Sequence, residues 1–411
     1  MSQQYIKPEV LAPAGDIERF IAALNFGADA IYLGGEQFGM RAAPTNFDMD
    51  TLREATKMAH DKGVKVYLTC NTVPKNYEIE QFPEYIKNAY EAGIDAAIVS
   101  DIGTMMLVKK YAPELEIHIS TQAGIVNYVT ANAFYEMGAK RVVLARELSL
   151  EEITEICEKT PKDLEIEVFV HGAMCMSFSG RCLLSSYMTG RDANRGECAQ
   201  PCRWGYYLVE EKRPGEYYRV EETDKGSYIL NAKDMCMIEH IDKLIKAGVT
   251  SLKIEGRAKS SYYVAVVTNA YRMAVDDYLK DPENYKTPDW LVEEVTKVSH
   301  RQYTTGFFFG QPENGQYYEN GGYLRNFDVI ATVDGYQDGY LIVTQKNRFK
   351  KGDVVEILEP NCKPFEFTIT QIINDKGEEI DISRHPMATL KIPCDRPVAH
   401  GAIVRKDLTL D

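Results

Sequence analysis

Four of the nine cysteines fall between residues 175 and 202, in the stretch EVFVHGAMCMSFSGRCLLSSYMTGRDANRGECAQPCRW that runs from Glu167 to Trp204. Cys175, Cys182, Cys198 and Cys202 stand there among glycines, and a fifth thiol, Cys236, follows in NAKDMCMIEH. In a reducing compartment, thiols grouped this way ligate a metal or act as nucleophiles before they form disulfides. The spacing C-x6-C and then C-x3-C is not the paired C-x2-C of a zinc ribbon, nor a ferredoxin run. Irregular spacing with intervening glycines suits an iron–sulfur cluster whose thiolates come from different loops. The competing reading makes these cysteines small buried hydrophobes. Cys70, Cys157, Cys362 and Cys394 are scattered along the chain and read as packing residues.

The elements that must position those thiols follow a recurring pattern. FGADAIYLGG, KGVKVYLTC, AGIDAAIVSD, MGAKRVVLAR and AGVTSLKIEG each run from a glycine (Gly27, Gly63, Gly93, Gly138, Gly248) into a short apolar stretch. Segments of helical periodicity such as DIERFIAALN precede them. Glycine suits the left-handed residue that closes a helix, and a short apolar run suits a strand buried on both faces. EVLAPAG, EIHISTQ and IEVFVHG complete a set of about eight strands alternating with helices, the layout of a (β/α)8 TIM-barrel-like domain. Spacing alone does not show closure, and a doubly wound open sheet is the alternative. The expected organisation is a TIM-barrel-like domain over 1–283 with a cysteine-rich insertion at 174–230, an irregular connector over 284–325, and a small C-terminal β-barrel over 326–411. In that last part VIATVDGY, YLIVTQ, DVVEILEP, FEFTITQI, ATLKIP and AIVRK read as strands, with a turn at Asp338–Gly339.

Active sites of such barrels lie at the carboxyl ends of the strands. Those ends carry Asp16, Glu36, Asn71, Asp101, Ser120, Gln122, Arg146, Glu147, His171, Glu255 and Arg257, polar groups where a core would want none. Taken singly, each is as well explained by helix capping or a satisfied buried polar group; Asp16 and Ser149 are expected to be caps. Arg146, Arg257 and Arg41 could hold a dicarboxylate through bidentate pairs, or form rim salt bridges with Glu147, Glu255 or Glu36.

The net charge of −14 disfavours indiscriminate binding to nucleic acid or anionic membrane, though not a local basic patch. Lys346, Arg348, Lys350 and Lys351 form one such loop, and Arg181, Arg191, Arg195 and Arg203 accompany the cysteines. Tyr317 and Tyr318 could stack on bases or pack the two domains together. No apolar run reaches the roughly 18 residues of a membrane span. The opening MSQQYIKPEV lacks the layout of a signal peptide, so a cytoplasmic location is expected.

EVFVHGAMCMSFSGRCLLS resembles the signature of the collagenase-like peptidase family, U32: Glu167, Phe169, Gly172, Cys175, Gly180, Cys182 and Ser185 fill it without a gap. NRGECAQPCRW, SLKIEGR and LAPAGD resemble that family too, and the likeness covers essentially the whole chain. Some members are labelled proteases; others take part in RNA hydroxylation, and the two-domain layout here most resembles the tRNA hydroxylation type. The resemblance implies a 4Fe–4S cluster on Cys175, Cys182, Cys198 and Cys236, with Cys202 a fifth candidate. It also implies tRNA, prephenate or a similar small anionic metabolite, and a homologous family-member subunit as partners. His171, Arg146, Glu255 and Arg257 are the expected catalytic residues. A peptidase would need other machinery. There is no HExxH and no G-x-S-x-G. A Cys175–His171 pair would leave the other clustered thiols without a role.

Overall fold

The computed structural model describes residues 6–40, 46–175, 182, 184–191, 193, 196–204, 207–208, 214–215, 218–219, 233–310 and 323–410. Arg41, Gly180, Arg181, Arg195, Tyr317, Tyr318 and the side chain of Arg203 lie outside them.

Apolar runs too short for a helix and flanked by glycine became buried parallel strands. These are β1 (Glu9–Ala14), β2 (Ala30–Gly34), β3 (Lys65–Cys70), β4 (Ala96–Val99), β5 (Glu116–Ile119), β6 (Arg141–Val143) and β7 (Glu165–Ala173). Each pairs in parallel with the next. After a two-stranded hairpin, β8 (Tyr207–Leu208) with β9 (Tyr218–Arg219), and the short β10 (Asp234–Cys236), comes β11 (Ser251–Ile254). It pairs in parallel with both β1 and β7 and closes an eight-stranded barrel, which excludes the open sheet. The five glycines that precede strands all have φ between +71° and +101°, the backbone that an L side chain resists. Asp16 and Ser149 cap their helices as expected; Ser149 forms a reciprocal capping box with Glu152.

β7 is longer than the other barrel strands, and its far end carries β10 antiparallel, which in turn pairs with β12 (Tyr303–Thr304). The expected connector is thus partly regular: it contributes β12 and the helix Asp289–Thr296. The six strands read from the C-terminal sequence are all present, as β13 (Phe327–Gln337), β14 (Tyr340–Gln345), β15 (Val354–Leu358), β16 (Phe365–Thr368), β17 (Thr389–Pro393) and β18 (Ile403–Asp407). They form one antiparallel sheet in the order β16-β15-β18-β13-β14-β17, curled around its own apolar core. Asp338 and Gly339 both have positive φ, as a two-residue hairpin turn requires.

The sheet docks on the barrel through buried charge. Arg405 on β18 is fully buried and forks onto Glu294 of the helix Asp289–Thr296, with Nη1–Oε1 2.6 Å and Nη2–Oε2 2.7 Å. It also reaches Glu356 of β15 at 2.6 Å and the Tyr262 hydroxyl at 3.1 Å. Removing Arg405 leaves the buried Glu294 carboxylate with Lys297 at 3.5 Å as its remaining ion-pair partner, and breaking one partner out of a buried ion pair costs about 3–5 kcal/mol. Arg405→Ala is therefore expected to lower the free energy of unfolding measured in urea by an amount of that order. It is also expected to make the boundary between the domains cleavable by dilute protease. Unchanged stability would show that the docking rests on something else.

Candidate functional site

The barrel interior holds a buried charged layer beside an apolar cluster that includes Leu11, Tyr67 and Ile98. Glu167 on β7 is fully buried between Lys253 of β11 (Nζ–Oε1 2.6 Å) and Arg141 of β6 (Nη1–Oε2 3.0 Å). Burial opposes its ionisation, but the two cations outweigh burial and hold the carboxyl below its ordinary value. Arg141 continues to Glu9 of β1 at 2.6 Å and to Glu165 at 2.7 Å, and the Tyr67 hydroxyl donates to Glu9 at 2.6 Å. His118 is buried beside the Tyr67 ring, and burial holds it neutral.

Above this layer, at the carboxyl ends of the strands, opens a cavity of about 390 Å³. Its floor is Tyr32, Thr69, Ile98, Val143, Phe169 and Lys253, one inward side chain from each of six strands. Its rim includes Asn71, Ser120, Gln122, Arg146, Glu147, Glu255 and Arg257, seven of the residues singled out at strand ends. Asp16 and Asp101 cap helices instead, and Glu36 is exposed. The Arg146 guanidinium lies 3.7 Å over the Phe169 ring, donates to the Ala173 carbonyl at 2.7 Å, and stands 3.6 Å from the Glu255 carboxylate. Its Nε is buried without a hydrogen-bond partner. Arg257 donates to the Thr69 hydroxyl at 3.1 Å. Gly34 makes room for it, since a Cβ there would sit 2.3 Å from the Arg257 Nη1.

The thiols of Cys175, Cys182, Cys198 and Cys202 line this same cavity, with Arg191 beside them. Among the described residues, no three His, Cys, Asp or Glu side chains stand close enough together to hold a metal ion. The four thiols therefore share one space without being drawn to one point. Cys236 is placed differently: it sits on β10, opposite His171 of β7, and interacts with the Tyr271 hydroxyl, and burial pushes its thiol up to about 12. Of the remaining cysteines, Cys70 and Cys394 are buried and Cys157 packs half-buried against the core, as expected, but Cys362 is exposed.

His171 is also not where strand alternation would put it. Phe169 pairs with Lys253, yet His171 pairs with the very next residue, Ile254, because β7 carries one extra residue there. The bulge turns His171 out of the barrel. Its Nδ1 lies 3.4 Å from the Tyr271 hydroxyl and its Nε2 3.2 Å from the Tyr303 hydroxyl. The ring is buried, does not line the cavity, and does not meet Cys175 across it. Gly172, which follows, has φ +103°, and a Cβ there would sit 2.3 Å from the Glu255 carbonyl oxygen. The floor residues Thr69, Phe169 and Lys253 were not singled out from the sequence as cavity residues. A lysine inside the apolar run SLKIEG was the signal available for Lys253.

Two family models match the chain: Peptidase family U32 over residues 15–317, and Peptidase family U32 C-terminal domain over residues 325–405. The chain is 39% identical over 403 residues to tRNA hydroxylation protein P1 of Bacillus subtilis, covering 97% of this chain and 95% of that one. It is 37% identical to tRNA hydroxylation protein P of Escherichia coli, covering 97% of each. A protein of Porphyromonas gingivalis named Collagenase is 38% identical over 315 residues, 74% of each chain.

Burial pulls the His171 imidazole down to about 3, so the folded protein keeps it neutral where the unfolded chain protonates it. Its contribution to stability is therefore complete above about pH 6.5 and is lost as pH falls from there toward 3. Histidine NMR at pH 5 is expected to show this ring neutral. A ring that titrates between pH 6 and 7 would contradict the placement.

Proposed function

Since the chain belongs to peptidase family U32, matched along both of its domains, we propose that it serves tRNA hydroxylation, forming 5-hydroxyuridine at the wobble position. One observation of the site carries this reading. The cavity gathers four thiols and four basic side chains, and no histidine is among the described residues that line it. A cysteine peptidase needs an imidazole beside its thiolate, and the histidine nearest in sequence to Cys175 is turned to the other face of β7.

In this reading Arg146 and Arg257 hold a small dicarboxylate such as prephenate. Both guanidinium groups are fixed in the rim, Arg146 by Phe169 and the Ala173 carbonyl, Arg257 by Thr69, so little ordering is left to do on binding. Lys253 adds a third cation at the floor, its charge balanced by Glu167. The donor set fits a 4Fe–4S cluster in kind and number, because four thiols line one cavity. Such a cluster supplies electron transfer. Cys175, Cys182 and Cys198 belong both to the set that the family resemblance implies and to the set that the cavity supports. The fourth ligand is Cys236 in the first set and Cys202 in the second; the cavity favours Cys202.

Mass spectrometry of tRNA nucleosides from a deletion strain is expected to show depletion of 5-hydroxyuridine and its derivatives, restored by the wild-type chain. Unchanged nucleosides in a strain with no second family member would sink the proposal. Cleavage of gelatin by the purified protein, lost on changing Cys175, would establish the peptidase reading instead.

Arg146→Lys and Arg257→Lys each keep a charge but lose the planar fork. A charged hydrogen bond of this kind is worth about 1.5–3 kcal/mol, so each change is expected to cost tenfold or more in hydroxylation with the fold intact. Full activity in both would place the anion elsewhere.

Protein prepared without oxygen is expected to carry about four iron and four sulfide per chain. Serine at Cys175, Cys182 or Cys198 should remove most of the iron, and serine at Cys70 should not. The cavity geometry predicts the same loss at Cys202 and retention at Cys236; the opposite result assigns Cys236. One zinc and no iron would make the site structural.

A further inference from the structure

A second cavity, of about 660 Å³, lies between the barrel and the C-terminal sheet. Its barrel wall is the loop after β11 and the start of the helix Ser261–Lys280; its opposite wall includes Phe327, Lys346 and Asn347, with Tyr323 and Arg325 at the edge. Ala173, Gln200, Glu255 and Ala258 line both this cavity and the cysteine cavity, so the two adjoin in one trough.

The trough is basic in an acidic chain. Seven Lys and Arg side chains against four carboxylates line the two cavities, while the whole chain carries −14. Glu255 faces Arg146, Asp328 pairs with Arg325, Glu18 accepts a hydrogen bond from Ser261, and on the cation side Lys253 pairs with Glu167 and Lys259 with Asp234. Lys346 makes no ion pair with any described residue. Tyr323 is 47% exposed, and the Lys259 ammonium lies 4.1 Å from its ring centroid. The loop Lys346–Lys351 divides. Lys346 lines the trough, whereas Lys351 pairs with Glu379 at 2.7 Å and does not.

Resting on the tRNA reading above, we propose that this interdomain cleft holds the single-stranded RNA next to the target nucleotide, with Lys346 on a phosphate and Tyr323 stacked on a neighbouring base. Chemistry on a base requires that base to leave its stack and enter a pocket. The base does not enter alone, because its backbone continues on both sides, and a pocket for one ring needs a groove for the next. Single-stranded RNA is held by cations along its backbone and aromatic faces under its bases. The cleft offers both, and it adjoins the cysteine cavity at Ala173, Gln200, Glu255 and Ala258.

The test is fluorescence anisotropy of a labelled anticodon stem-loop RNA with uridine at the wobble position, titrated with full-length protein at several salt concentrations. Tyr323→Ala is expected to weaken binding about tenfold, within the range for loss of one stacked base, and Tyr323→Phe to restore it. Lys346→Ala is expected to weaken binding to every sequence alike and to make the salt dependence shallower by about one phosphate contact. Lys351→Ala is expected to bind as wild type does. Wild-type-like binding by both Lys346→Ala and Tyr323→Ala, or equal weakening by Lys351→Ala, would overturn the cleft assignment while the tRNA reading stands. A wild-type protein that binds no RNA, or binds a gelatin peptide in its place, would overturn both.

Discussion

The buried Glu167 carboxylate, held between Lys253 and Arg141, is the interaction on which the barrel and its cavity both depend. A closed barrel of eight short strands must fill its interior, and most such barrels do so with branched aliphatic side chains. This one places a charged layer there, linking Glu9 of β1, Arg141 of β6, Glu167 of β7 and Lys253 of β11. Each member is costly without the others, because an unpaired buried charge is penalised far more than a paired one. The layer therefore ties together strands far apart in sequence, including the pair that closes the barrel. It also leaves Lys253 with its ammonium on Glu167 in the layer and part of its side chain on the cavity floor, so the layer and the floor share a residue.

β7 does the second organising work. It is the strand on which the barrel closes, the support for β10, and the lead-in to the cysteine segment. One extra residue opposite the Lys253–Ile254 step separates its side chains into two groups. Phe169 faces the cavity and carries the Arg146 guanidinium on its ring. His171 faces the helix Ser261–Lys280 and is bonded by Tyr271 and Tyr303. The described lining of the cavity thus holds thiols and guanidinium groups but no imidazole, a composition poorly suited to hydrolysis by a Cys–His pair.

The C-terminal sheet takes part in the site through its position. Arg405, buried among Glu294, Glu356 and Tyr262, joins β15 and β18 to the barrel side of the interface. That contact brings Lys346 and Phe327 to the wall of the cleft that adjoins the cavity. A domain with its own apolar core becomes part of a binding surface by being docked.

Much of this was legible in the residues themselves, because it depends on neighbours in sequence. The helix-closing glycines, the caps at Asp16 and Ser149, the eight barrel strands and the six C-terminal strands follow from local pattern and local backbone preference. Cys175, Cys182, Cys198 and Cys202 line the cavity at the carboxyl ends of the strands, in the segment that follows β7 directly. What local pattern did not carry is whatever depends on pairing between distant segments. Closure required β11 to find β7 and β1 at once. The orientation of His171 turned on a single bulged residue, which reverses the two-residue alternation and so every inward or outward assignment beyond it. Cys236, adjacent to the cysteine segment in the chain, went to the outer side of β7 because β10 adds antiparallel there, opposite His171. Sequence determined which groups were available; tertiary pairing decided which of them face the cavity, because facing is set by register and register is not a local property.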